Sequence, residues 1–192
     1  MFFDLIGALF SLLSTYYFIR LNSKAWGIGI IATCLNAWLY WYKGIYADMS
    51  LEIFYFLSMG YGWYKWRVTA KKHDNQPVML NQLSSTQWLL LFVLLCGVFI
   101  SIYLILLSFT HSSVPVLDAL TTSLSLAAQW LMCYKIIITW IFWFITDALY
   151  VWMYLNKGLP FHSVLMIIYT GMAITGYIMW ARAAKNKQSN KL

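Results

Sequence analysis

The stretch WGIGIIATCLNAWLYWYKG, residues 26–44, is echoed 114 positions later by WIFWFITDALYVWMYLNKG, residues 140–158. Both segments begin with Trp and end with Lys-Gly, and they align without a gap. In the same register, residues 4–66 match residues 118–180 at 15 of 63 positions. An apolar composition explains matched leucines and isoleucines, but it does not explain three aligned tryptophans and an aligned Lys-Gly pair. The chain therefore contains an internal duplication.

The composition predicts an all-α integral membrane protein. Of the 192 residues, 62% are hydrophobic and 10% are charged, with a mean hydropathy of +0.68, which is too apolar for a soluble domain. A membrane-spanning helix needs about 20 mostly apolar residues. Seven stretches fit: residues 3–20, 25–42, 49–66, 88–108, 118–134, 138–155 and 161–180. Cys34, Cys96 and Cys133 all lie in these stretches, so we expect buried packing residues rather than a disulfide or a metal site.

The distribution of basic residues predicts the orientation. If the N-terminus lies outside, all of the 13 Lys and Arg residues except Lys43 and Lys157 fall on the inner side. Positive residues collect on the cytoplasmic side of membrane proteins, so the N-terminus is expected outside and the C-terminus inside. The net charge of +7 then reflects topology and attraction to anionic lipid rather than nucleic-acid binding.

The duplication also predicts how the spans are arranged. Each repeat holds three spans, and a repeat of three followed directly by its copy would insert upside down. One unmatched span between the repeats restores a common orientation, which gives a parallel 3+1+3 duplication of the kind that SWEET transporters use. The expected divisions are a first repeat at residues 1–66, a cytoplasmic loop and linker helix at 67–117, a second repeat at 118–180 and a cytoplasmic tail at 181–192. Substrate would bind near mid-membrane, where the two repeats face each other.

One face of the sixth span groups aromatic rings around an acid. It is made of residues that recur at steps of three or four: Trp140, Trp143, Asp147, Tyr150 and Tyr154. A carboxylate near mid-span costs about 2.5–3.5 kcal/mol on insertion scales, so Asp147 is expected to face protein or water. It either forms a helix–helix hydrogen bond or contacts a ligand in a cavity. The rings favour a ligand, because each contributes about 0.5–2 kcal/mol to holding a flat cation.

Other polar groups near mid-span either join helices or contact the same ligand. Gln129 stands beside Trp130 on the fifth span, and Asn36 lies on the second. The residues predicted to contact substrate are Trp143, Asp147, Tyr150, Gln129, Trp130, Asn36, Tyr55, Trp140 and Tyr169, with Glu52 and Tyr154 at the mouth. No histidine pair has metal-ligand spacing, and there is no phosphate loop, nucleophile elbow or HExxH motif. We therefore expect no cofactor, no metal and no enzymatic activity. The glycines of Lys43-Gly44 and Lys157-Gly158 are expected to end the second and sixth spans as C-caps.

The spacing Trp140-x2-Trp143-x3-Asp147 resembles the WxxWxxx(N/D) signature of the PnuC family of vitamin transporters. Four further segments are similar to that family: DALTTSLSLAAQWLM at residues 118–132, LNKGL at 155–159, GIYAD at 44–48 and YGWYKW at 61–66. The resemblance extends over residues 1–180. It implies a seven-helix, SWEET-like fold in the bacterial inner membrane, assembled as a homotrimer.

The resemblance also implies facilitated diffusion of an unphosphorylated vitamin, usually nicotinamide riboside, which a cytoplasmic kinase then traps by phosphorylation. A pyridinium cation would suit the rings and the acid, and ribose hydroxyls would suit the amides. Thiamine is also flat and cationic, and thiamine-transporting relatives make it the alternative substrate. A facilitator for a sugar or another small solute is disfavoured by the density of mid-span rings. A membrane enzyme or receptor is disfavoured by the lack of a catalytic constellation and by the short termini.

Overall fold

The computed structural model describes residues 2–42, 46–72, 83–109, 114–156 and 160–189. These residues form seven helices: α1 Phe2–Ile19, α2 Lys24–Tyr42, α3 Tyr46–Lys72, α4 Ser85–Phe109, α5 Pro115–Cys133, α6 Thr139–Asn156 and α7 Pro160–Ser189. The prediction of an all-helical chain with seven helices is confirmed. The predicted C-caps at Lys43-Gly44 and Lys157-Gly158 lie outside the described residues.

Two helices run further than the hydropathy predicted. The third span was expected to end near residue 66 and the seventh near residue 180, but α3 continues to Lys72 and α7 to Ser189. The hydrophobic run ends where predicted, yet Ala, Lys and Arg in the extensions are good helix formers. The segment expected to form the cytoplasmic tail, residues 181–192, is therefore helical as far as Ser189.

Three described helical segments are long and apolar enough to cross a membrane by length and composition: Ser85–Phe109, Pro115–Cys133 and His162–Asn186. A shorter apolar segment, Leu5–Ile19, lies in α1. Ser85–Phe109 is the most apolar and has no buried residue. For the other helices, crossing of the membrane stays a prediction.

The cysteines differ in environment. Cys133 is buried, Cys96 is half-buried and Cys34 is exposed on α2. The expectation of three buried packing residues was therefore wrong for Cys34. A side chain of this polarity can face lipid as readily as protein, so hydropathy does not decide between the two.

The chain divides into two compact units. The first contains Met1–Leu80, Met132–Lys135 and Ile178–Leu192, and the second contains Asn81–Leu131 and Ile136–Tyr177. Within the first unit, α1 packs on α2 and α2 packs on α3. The first unit thus combines three helices of the first repeat with the ends of α5 and α7. The division by repeat at residues 66, 117 and 180 stays a prediction.

Residues that are 114 positions apart make the same close packing in each unit. A Cβ placed on Gly62 would overlap the ring of Trp26, and a Cβ on Gly176 would overlap the ring of Trp140. Both tryptophans are buried. The matched Trp and Gly of the sequence therefore form one contact twice, and the glycine is needed because the ring occupies the space of a side chain.

The turns that follow α1 and α5 also have the same geometry. Leu21 and Lys135, 114 positions apart, have positive φ angles of 52° and 54°. The amide of each donates to the carbonyl three residues earlier, at 3.0 and 3.1 Å. The next amide donates to the carbonyl five residues earlier, at 3.0 and 3.2 Å. This is the Schellman pattern of a helix C-cap, built twice without the usual glycine.

A hydrogen bond between consecutive helices is kept although its donor has changed places. The Ser14 hydroxyl donates to the Ala25 carbonyl at 2.9 Å. At the corresponding positions of the second repeat, the Thr139 hydroxyl donates to the Ala128 carbonyl at 2.7 Å. The donor hydroxyl thus belongs to the first helix in one repeat and to the second helix in the other, but both repeats have the hydrogen bond between the two helices. Counting identical residues therefore understates how alike the two repeats are.

Candidate functional site

The carboxyl of Asp147 lies near the middle of α6 and has no partner in the part of the chain that the structure describes. The residue is 8% exposed, and its carboxyl makes no hydrogen bond or salt bridge with another described residue. Buried polar groups are normally hydrogen-bonded, and a buried carboxylate is costly unless it is paired. The alternative that Asp147 joins two helices by a hydrogen bond finds no support here, which favours the ligand interpretation.

Thr146, the residue before Asp147, also has a buried polar group without a hydrogen bond to a described residue. The Thr146 hydroxyl is fully buried and has no hydrogen-bond partner among the described residues. Three other threonines of the second repeat, Thr121, Thr170 and Thr175, donate to carbonyls of their own helices, as Thr121 does to Leu117 at 2.9 Å. Thr146 was not among the predicted site residues. The duplication carried the signal, because Thr146 corresponds to Ala32 of the first repeat.

Further along α6, two of the predicted rings stack. The ring centroids of Tyr150 and Tyr154 are 5.7 Å apart with an interplanar angle of 14°. Tyr154 also contacts His162, with ring centroids 5.4 Å apart. Trp143, Tyr150 and Tyr154 are half-buried. Rings that are packed on one side and accessible on the other can stack on a flat solute.

Trp140 differs from the other rings of this face. It is 2% exposed and packs against Gly176, as Trp26 packs against Gly62. This is a packing role that a helical period does not reveal, because the period identifies a face and not what covers it. Contact of Trp140 with substrate stays a prediction.

On α5, two neighbouring site candidates differ in environment. Gln129 is 3% exposed, whereas Trp130 is 48% exposed. Adjacent residues of a helix point in directions about 100° apart, so adjacency in sequence did not make them a pair. Tyr169 on α7 is half-buried. All three have further interactions within the chain.

In the first repeat, two of the candidates contact each other. The Asn36 side-chain amide donates to Oε1 of Glu52 at 3.2 Å, which joins α2 to α3. Gly7 lies against Asn36, since a Cβ on Gly7 would overlap the Asn36 amide oxygen. Tyr55 is half-buried and one helical turn beyond Glu52. For Asn36, the bond to Glu52 agrees with the alternative that an intramembrane amide joins helices.

The described helices of the two repeats bury different numbers of polar side chains. Three polar residues are buried in α1–α3: Ser14, Thr33 and Ser58. Eight are buried in α5–α7: Thr121, Ser123, Ser125, Gln129, Thr139, Thr146, Asp147 and Ser163. The described helices of the second repeat therefore bury more polar side chains than those of the first. No cluster of His, Cys, Asp or Glu in the described residues has a metal-binding arrangement.

A sequence model of the family described as "Nicotinamide mononucleotide transporter" matches residues 1–182. The nicotinamide riboside transporter PnuC of Escherichia coli (strain K12) is 25% identical over 203 residues, which cover 94% of this chain and 81% of that protein. The protein of the same name from Neisseria mucosa is 25% identical over 168 residues, covering 82% of this chain and 63% of that one.

A solved structure has the same fold. It is described as the crystal structure of the vitamin B3 transporter PnuC, and it is similar with a TM-score of 0.77 and 21% sequence identity. The similarity covers 97% of this chain and 83% of that one. The seven helices and this match together define the fold, and the family model and the named relatives define the class, a helical membrane transporter and not an enzyme. The chain belongs to the nicotinamide mononucleotide transporter family, to which the PnuC proteins belong, so the resemblance found in the sequence is confirmed.

Proposed function

We propose that this protein takes up nicotinamide riboside by facilitated diffusion. The observation that carries the proposal is the buried carboxyl of Asp147, which has no partner among the described residues and shares a helical face with half-buried rings. Nicotinamide riboside has a flat, positively charged pyridinium ring and a ribose with several hydroxyls. A relative that is 25% identical is named a nicotinamide riboside transporter, which supports the same substrate here.

Each group of the substrate has a candidate partner in the second repeat. The Asp147 carboxylate neutralises the pyridinium charge, which repays the cost of burying both charges. Trp143 and Tyr150 stack on the ring. Gln129 and the Thr146 hydroxyl bond the ribose. In the first repeat, the Asn36–Glu52 hydrogen bond holds α2 and α3 together near the mouth.

The topology that we propose is a parallel 3+1+3 duplication with the N-terminus outside and the C-terminus in the cytoplasm of a bacterium. The repeated Trp–Gly packing and the repeated helix C-cap support the duplication. The charge bias supports the orientation. The protein acts as a homotrimer in the inner membrane, and a cytoplasmic kinase traps the vitamin by phosphorylating it.

The orientation is tested by labelling intact cells with an impermeant thiol reagent. A cysteine introduced at Gln76 should be protected, and a cysteine introduced at Ser113 should react. The reverse pattern would contradict the proposed topology.

Substrate identity is tested in proteoliposomes that contain only this protein. Nicotinamide riboside should equilibrate across the membrane, and thiamine in excess should compete weakly. Collapse of proton and sodium gradients should leave the rate unchanged, because a facilitator is driven by the solute gradient alone. Efficient equilibration of thiamine without transport of nicotinamide riboside would show that thiamine is the substrate. Accumulation of the solute above its outside concentration, in the absence of a kinase, would rule out facilitated diffusion.

A further inference from the structure

Four aromatic side chains pack tightly together, one from the end of α1, one from the start of α2 and one each from the C-terminal halves of α3 and α7. We call them the tryptophan cluster: Phe18, Trp26, Trp66 and Trp180. All four are buried. Neighbouring ring centroids within the cluster are 4.7 to 6.3 Å apart, mostly edge to face, which is the arrangement that aromatic pairs prefer. The cluster lies within the first compact unit.

Two hydrogen bonds of the cluster link one repeat to the other. The Trp66 indole N–H donates to the Met132 carbonyl at 3.3 Å, and the Trp180 indole N–H donates to the Phe18 carbonyl at 3.1 Å. The two donors are 114 positions apart, and so are the two acceptors. The third helix of each repeat is therefore bonded to the first helix of the other.

The rings of Trp66 and Trp180 also contact each other, with centroids 6.3 Å apart. In the parallel 3+1+3 arrangement that we propose, a pseudo-twofold axis relates the repeats, and residues that touch their own counterparts lie on it. Both acceptor carbonyls belong to the last turns of their helices, where each also accepts the amide of the C-cap turn. Each indole thus bonds a carbonyl that also accepts a backbone hydrogen bond within a helix C-cap.

One residue breaks the symmetry of this arrangement. The Lys135 ammonium lies 4.6 Å from the centroid of the Trp66 ring, and its counterpart in the first repeat is Leu21. A cation over an indole face is attracted by the ring quadrupole. Leu21 carries no charge, so the contact of Lys135 with Trp66 has no counterpart at position 21.

Resting on the proposed transport function, we propose that Trp66 and Trp180 form a lock that closes this end of the solute path and opens in each transport cycle. Transporters built from two repeats expose a central site by moving one repeat against the other. Contacts that join the repeats at one end must break for that end to open. The two indole bonds join the repeats here, and their matched geometry lets both break in a single motion about the axis.

The native Cys133 reports on this opening. It is buried next to Met132, and its thiol donates to the Ser58 carbonyl at 3.5 Å. With Cys34 and Cys96 replaced by Ser, the rate of alkylation by N-ethylmaleimide follows the population in which the lock is open. Trp66→Phe and Trp180→Phe should each raise that rate about fivefold, which corresponds to the about 1 kcal/mol that a hydrogen bond contributes. The double variant should react about 25-fold faster.

Trp26→Phe is the matched control. It removes the same atoms from the same cluster, but the Trp26 indole N–H has no hydrogen-bond partner among the described residues. Its alkylation rate should stay at the wild-type value. Acceleration as large as that of Trp66→Phe would mean that any loss of ring volume loosens the cluster, and this outcome would overturn the lock. Unchanged rates in Trp66→Phe and Trp180→Phe would overturn it as well.

The alkylation assay contains no substrate, so it stands even if the protein transports a different vitamin. A second measurement links the lock to transport. In proteoliposomes, the double variant should equilibrate nicotinamide riboside at a rate different from wild type, whereas Trp26→Phe should not. Faster alkylation with an unchanged transport rate would show that the cluster opens outside the transport cycle, and the lock would then be wrong.

Discussion

The first repeat carries Ala32 and Thr33 where the second carries Thr146 and Asp147. The Thr33 hydroxyl donates to the Ile30 carbonyl at 3.0 Å, so its own helix satisfies it. Neither the Thr146 hydroxyl nor the Asp147 carboxyl has a hydrogen bond with a described residue. At these two positions the buried polar group of the first repeat is hydrogen-bonded, whereas those of the second repeat have no hydrogen bond with a described residue. A ligand can supply the missing hydrogen bonds, so we expect it to bind at Thr146 and Asp147.

Other pairs of positions have stayed alike. Trp26 and Trp140 both fill the space above a glycine, and the C-cap turns after α1 and α5 match in their hydrogen bonds. The Trp–Gly contacts and the C-cap turns have therefore been kept, whereas the positions of Thr146 and Asp147 have diverged. A flat cation attached to a sugar is asymmetric, so a site built from two identical halves would suit it poorly.

The largest effect is expected where the repeats agree. Gly62→Ala and Gly176→Ala force a methyl group into a buried indole, and such overpacking costs typically about 1–3 kcal/mol of folding stability. The two variants should lower the thermal unfolding temperature in detergent by similar amounts. Gly60→Ala and Gly171→Ala are controls on the same helices, since a Cβ there meets no atom within 4 Å. A large loss in only one repeat would break the equivalence of the two packing contacts.

The next largest effect is expected on substrate binding, at the positions around Asp147 where the repeats differ. Trp143→Leu removes stacking, and Asp147→Asn removes the charge while keeping the shape. Each should weaken binding of nicotinamide riboside by about 1–2 kcal/mol, or about five- to thirtyfold in Kd measured by calorimetry. Thr33→Val at the corresponding place in the first repeat should leave Kd unchanged.

Ile145→Leu on α6 is a second control, because Ile145 is an exposed apolar residue on the far side of the helix from Trp143 and Asp147. Thermal unfolding must show that every variant is folded. Unaltered affinity in both Trp143→Leu and Asp147→Asn would remove the sixth helix from the site. The substrate would then have to be sought around Asn36 and Tyr55 in the first repeat.

A smaller effect is expected for Thr146→Ala, which gives the second repeat the residue of the first. Removing a buried hydroxyl without a partner should not reduce folding stability, since the hydroxyl only costs desolvation in the empty protein. If the hydroxyl bonds the ribose, Kd should rise about fivefold, which matches a net hydrogen bond of about 1 kcal/mol. A lower unfolding temperature with unchanged Kd would instead mark Thr146 as a structural residue.

The amino-acid sequence was sufficient to predict the number of helices and the pairing of residues across the duplication, because both follow from hydropathy and from one fixed offset. It did not predict the ends of α3 and α7, where helix propensity continues after hydrophobicity stops. Helical period placed Trp140 and Trp143 on one face, but burial against Gly176 distinguishes them. The Asn36–Glu52 bond joins two helices, and no local pattern encodes it.

The smallest effect tests the residue that makes the tryptophan cluster unequal. Burial lowers the pKa of Lys135 from its usual 10.5, so the folded protein holds this proton less tightly than the unfolded chain does. Folding stability then rises with pH between the lowered pKa and 10.5. Lys135→Leu restores the residue type of Leu21 and abolishes this contribution. The unfolding temperature of wild type minus that of the variant should be constant at neutral pH and should increase as the pH approaches 10.5. A difference that decreases over the same range would mean that attraction of the ammonium to Trp66 outweighs its desolvation, and Lys135 would then hold the cluster more strongly in its charged form.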